Sequence, residues 1–130
     1  MRYIKMFIAG IALPSTILPC LILIAWAFGK TQILMIPFLH LIPLIWGLWN
    51  VLYFVGFLKI LPENLTVRLL ITGGVLGFLV AAYGVFVYDI PLLLGLPDSF
   101  TYVPLVIGPI LYAVLWLFIV KPLNRLLGIY

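Results

Sequence analysis

Four long apolar runs occupy most of this chain, and their lengths predict what each one forms. The runs cover residues 7–28, 33–58, 69–88 and 102–120, and no charged side chain falls inside any of them. An apolar stretch of 18 or more residues is long enough to cross the roughly 30 Å hydrocarbon core of a bilayer as a helix. Backbone polar groups cannot be left unpaired in lipid, so each run is expected to be helical. The pattern predicts an all-α integral membrane protein: residues 1–130 form one domain, a four-helix transmembrane bundle. The first run also has a basic start and a small-x-small Ala25-Trp26-Ala27 pattern, as a signal peptide would. Its apolar stretch is longer than a typical signal core, so it reads as a permanent span.

Composition supports this class and removes others. Hydrophobic residues make up 67% of the 130 and charged residues 8%, against roughly a quarter charged in a soluble domain. A soluble fold of this size could not cover its exterior with so few charges. Intrinsic disorder needs the opposite composition. One cysteine, Cys20, rules out a disulfide scaffold. With one histidine and three carboxylates besides, neither a metal centre nor a cofactor is expected.

The charges then predict orientation. If the spans alternate, Arg2, Lys5, Lys59, Arg68, Lys121 and Arg125 fall on one side, and Lys30, Asp89 and Asp98 on the other. The positive-inside rule places both termini in the cytoplasm, and a prokaryotic plasma membrane is the expected location. Basic residues sit singly at span ends, where they meet lipid headgroups. No nucleic-acid partner is expected. Tyr3, Trp26, Tyr88, Tyr102 and Tyr130 fall near predicted interfaces, whereas Trp46, Trp49 and Trp116 lie deeper and are expected to pack on helices or lipid tails.

Small residues suggest how the spans pack. Gly73, Gly77, Ala81 and Gly84 lie on one stripe of the third span, the spacing that lets two backbones approach in lipid. The stripe serves packing within the bundle or a homodimer face. Ala12, Thr16 and Cys20 form a second small face, expected to be buried against another helix. Prolines are frequent: Pro14 and Pro19 in the first span, Pro37 and Pro43 in the second, Pro104 and Pro109 in the fourth. Each is expected to free a carbonyl and bend its helix, with Ser15, Thr16 or a neighbouring helix supplying the missing partner.

Candidate chemistry is sparse. His40, Gly47 and Asn50 give the second span a mildly polar face that should point into the bundle, and polar groups inside a membrane are functional candidates. His40 serves either as a structural hydrogen-bonding residue or as a proton carrier. Between the third and fourth spans, residues 89–98 carry two prolines and four leucines. They read as a segment lying on the membrane surface, or as a docking surface or lid. At the other end Thr66 is a candidate cap for the third span. The Asn64-Leu65-Thr66 glycosylation pattern falls on the wrong side of the membrane to be used. The second and fourth spans also end alike, from Lys59 and from Lys121, as a duplicated hairpin would.

No nucleophile–base arrangement, paired carboxylates or phosphate loop is present, so enzyme chemistry is not expected. Two functions remain. One is an accessory, assembly or immunity-type subunit acting through helix contacts, with the bilayer and other membrane proteins or copies of itself as partners. The other is an oligomeric small transporter or pore with its polar face at His40 and Asn50.

Overall fold

The computed structural model describes all 130 residues, and every regular element in it is helical. Helix α1 (Arg2–Ala27) is followed by a short turn of helix, α2 (Thr31–Leu34), and by α3 (Pro37–Val55). Helix α4 (Leu65–Phe86) leads to a second short turn, α5 (Ile90–Leu93). Helix α6 (Pro104–Leu115) runs on through a π turn at Trp116–Val120 into α7 (Lys121–Leu126). Four helices, Arg2–Ala27, Pro37–Lys59, Leu65–Phe86 and Pro104–Leu126, are long and apolar enough to cross a membrane.

Several local expectations change. The second run loses its first residues to α2, and α3 begins at Pro37. Pro37 and Pro104 open their helices, where a missing N–H costs nothing. Pro14, Pro19, Pro43 and Pro109 are interior. Asn64, not Thr66, caps α4: its side-chain oxygen accepts from the Thr66 and Val67 N–H groups at 3.0 and 3.2 Å. Thr16 donates to the Ala12 and Leu13 carbonyls at 2.6 and 2.9 Å, so it does not serve the carbonyls that Pro14 and Pro19 leave free. Thr16 and Cys20 are exposed, contrary to the expected buried face. The buried side of α1 is instead Met6, Ala9, Gly10 and Pro14.

The helices pack as two antiparallel hairpins, α1 on α3 and α4 on α6. Glycine makes both crossings possible. A Cβ at Gly10 would stand 2.6 Å from the Trp46 carbonyl oxygen, 2.8 Å from Gly47 Cα and 3.0 Å from Asn50 Cβ. A Cβ at Gly73 would stand 2.5 Å from the Tyr112 carbonyl oxygen, 2.9 Å from Ala113 Cα and 2.7 Å from Trp116 Cβ. The same three positions of the opposing helix are touched in each case. The register that lays Gly10 on Gly73 also lays the buried Met6, Ala9 and Pro14 on the buried Leu69, Thr72 and Gly77. The register that lays Trp46 on Tyr112 lays Pro43 on Pro109 and Lys59 on Arg125. The two hairpins thus share one crossing register, which matches Lys59 with Arg125 rather than with Lys121.

The expected stripe on the third span lies inside the molecule. Gly73 and Gly77 face α6, Ala81 meets Gly108, and Gly84 lies under the Ile90 side chain. Burial concentrates at the end that holds both termini and the 56–64 connection, here called the base. The main cluster there joins Trp46, Tyr53, Leu69, Leu76, Trp116 and Val120. The opposite end, the mouth, holds the 28–36 and 87–103 connections and is more open.

Neighbouring glycines of α4 give a direct test of this packing. Gly73→Ala is expected to destabilise the bundle by about 1–3 kcal/mol through overpacking. Gly74, whose added Cβ would find its nearest neighbour at 3.8 Å, should tolerate alanine or gain up to about 1 kcal/mol. Reversible unfolding of the two variants in bicelles measures the difference.

Candidate functional site

Polar side chains inside the spans must find partners within the protein, because lipid offers none. Asn50 and Asn124 find each other. Asn50 Nδ2 donates to Asn124 Oδ1 at 2.9 Å and to the Met6 carbonyl at 2.6 Å, and Asn124 Nδ2 donates back to Asn50 Oδ1 at 3.1 Å. Both residues are fully buried. The clamp ties α3 to α7 and to α1, and so joins the two hairpins. Nearby, the Trp49 indole donates to the Thr72 carbonyl at 3.0 Å, from the first hairpin to the second. Trp46 and Trp116 meet across the same seam with ring centres 5.2 Å apart and planes tilted by 43°, and neither indole N–H has an acceptor. The chain end folds back onto this base: Tyr130 donates to the Tyr53 hydroxyl at 3.3 Å. Burial and that neighbour push the Tyr130 phenol far above its ordinary range, so it stays protonated.

Asn124 lies beyond residue 120, where the fourth apolar run ends, so run length passes over it. Its signal is spacing. Trp116, Val120 and Asn124 are each four apart and each completely buried. At 100° per residue, four steps overshoot a turn by about 40°, so a regular helix would swing Asn124 off the line. The π turn at Trp116–Val120 is wider and keeps the three residues on one face. It stands just ahead of Pro122, whose missing N–H already disturbs the ladder.

The three residues of the expected polar face part company. Asn50 is in the clamp. Gly47 is covered by the Phe7 and Ile11 side chains of α1. His40 is ten residues from Asn50, about 15 Å along the helix, and exposed. Its Nε2 lies 2.9 Å from the Leu34 carbonyl oxygen and donates to it. That bond closes the end of α2 onto the first turn of α3, where the chain breaks before Pro37.

A groove of about 460 Å³ opens at the mouth between α1 and α3. Leu18, Leu21, Ile22 and Ala25 form one wall, Leu39 and Ile42 the other, and Lys30 and His40 stand at its rim. A smaller cavity of about 190 Å³ shares Leu18, Leu21 and Ile42 with it and reaches inward to Trp46 and Tyr112. The 89–98 segment does not lie free. Pro91 is buried, Leu94 reaches the groove, and α5 touches α2. Asp89 holds a left-handed backbone conformation, φ 48°, that starts this fold-back.

Repeat register explains why the groove is there. Where the second hairpin has Gly77, Ala81 and Gly84, the first has Pro14, Leu18 and Leu21. Where the second has Gly108, the first has Ile42. Larger side chains keep α1 and α3 apart toward the mouth, while small ones keep α4 and α6 together. No known family profile, no curated protein and no solved structure matches the chain.

The clamp predicts a coupled pair. Asn50→Leu or Asn124→Leu alone should cost about 1–3 kcal/mol, because each strands a buried amide. The double variant should cost less than the two added together, by about 1 kcal/mol. A double-mutant cycle in bicelles reads the coupling. Strict additivity would show that the two amides do not support each other.

Proposed function

We propose that this protein is a non-catalytic integral membrane subunit of accessory, assembly or immunity type, acting through helix contacts with other membrane proteins. One observation carries this reading. On α3, Leu41, Leu44, Leu48, Leu52 and Val55 form an exposed stripe, each 46–52% accessible. Their three- and four-residue spacing is the repeat by which a second helix packs along a first. The small-residue stripe of α4 is occupied inside the chain, whereas the leucine stripe is a face available to a partner. Six basic residues at the base, against Lys30 and two aspartates at the mouth, support an orientation with both termini in the cytoplasm of a prokaryotic plasma membrane.

The alternative, an oligomeric transporter or pore, needs His40 and Asn50 on one polar path. Their separation and the completed hydrogen bonds of Asn50 favour the subunit reading. Gentle extraction from the native membrane tests it. The chain is expected to leave in an assembly with other proteins, and Leu44→Ala combined with Leu48→Ala should release it at least tenfold more readily. Extraction as a lone chain or a homo-oligomer, together with specific solute flux in liposomes that His40→Ala abolishes, would establish the transport reading instead.

A further inference from the structure

The groove between α1 and α3 has dimensions, walls and a charge that together specify an occupant. From Leu18 to Phe28 it follows about ten residues of α1, about 15 Å. That is the depth of one leaflet of hydrocarbon, half of roughly 30 Å. A slot of that depth and of about 460 Å³ accommodates a single alkyl chain. Apart from Lys30 and His40 the lining is apolar, and it contains no carboxylate.

We propose that this groove holds one acyl chain of an anionic phospholipid from the leaflet at the mouth, with the lipid phosphate on Lys30. Lys30 is the one cation at that end of the protein. Its Nζ is drawn over the folded-back segment, 3.2 Å from where a Cβ of Gly95 would stand. An ammonium at the top of a leaflet-deep apolar slot meets a phosphate at the headgroup level and donates to its oxygens. His40 keeps its Nε2 hydrogen on Leu34 and holds the rim in shape. The second hairpin, with Ala81, Gly84 and Gly108 in place of Leu18, Leu21 and Ile42, leaves a smaller hollow of about 270 Å³ that no cation lines. It serves as an internal control.

The test uses the full chain in nanodiscs of phosphatidylcholine with a minority of phosphatidylglycerol, each lipid in turn carrying a diazirine midway along one acyl chain. After irradiation, mass spectrometry is expected to find about one lipid per chain, on groove residues such as Leu21 and Leu39 and not on the second hairpin. Lys30→Gln should reduce the preference for phosphatidylglycerol about fivefold, the weight of one lysine near an anionic surface. Ala25→Trp, or Leu39→Trp if the first variant does not fold, should remove groove labelling by both lipids at unchanged helicity. Equal labelling of both hairpins, or a preference untouched by Lys30→Gln, would overturn the proposal. So would displacement of the lipid by inorganic phosphate, or chain-to-chain cross-links through the groove.

Discussion

An amide in hydrocarbon has no solvent to fall back on, and the Asn50–Asn124 pair shows how this bundle meets that constraint. Each amide has two donors and an acceptor, and the reciprocal pair plus the Met6 carbonyl occupies most of them. The two asparagines do not occupy equivalent positions in the repeat, so the clamp belongs to the seam between hairpins rather than to either one. Lipid supplies no hydrophobic force between apolar helices. Directional bonds, the Trp46–Trp116 contact and the fit at Gly10 and Gly73 therefore set how the hairpins meet. Because these contacts all lie toward the base, the mouth is free to differ between hairpins.

That freedom is visible in the repeat. Both hairpins cross at a glycine seated on the same three positions of the opposing helix. One turn further out they diverge, because Gly77 has proline as its counterpart and Ala81 has leucine. A few methyl and methylene groups separate a hairpin with a smaller hollow from one with a leaflet-deep slot. The small cavity reaching Trp46 then follows as the inner continuation of that slot, since it shares Leu18, Leu21 and Ile42 with it.

The four spans are legible from run length alone, because bilayer thickness sets a length that few soluble helices need. Their ends are less so. Ile33 to Ile36 are apolar yet stand outside α3, the first two of them in α2, since hydropathy is blind to the break before Pro37. Asn124 is missed for the converse reason: a helix can continue past Lys121 at a membrane surface without apolar residues. The stripe at Gly73, Gly77 and Ala81 is readable as a packing face, but which helix fills it depends on contacts with Tyr112 and Gly108 far along the chain. His40 and Asn50 share an approximate helical face and still do not meet, because angular position says nothing about the 15 Å between them along the axis. The Thr16 face fails differently: small size permits burial, but the buried side of α1 is set by where Gly10 must sit.

Charge asymmetry follows the register that the two hairpins share. The register that aligns the hairpins lays Lys5 on Arg68 and Lys59 on Arg125. Each hairpin brings cations at its base, and two hairpins of the same hand necessarily gather them at one end. Lys30 stands outside this pattern, since the 87–103 connection of the second hairpin carries two aspartates and no basic residue. The residues that distinguish the first hairpin at its mouth are therefore a cation and the bulk that opens a slot beneath it. Two differences of unlike chemistry falling on the same few ångströms of one repeat are what a headgroup-and-tail ligand would require, and packing alone asks for neither to accompany the other.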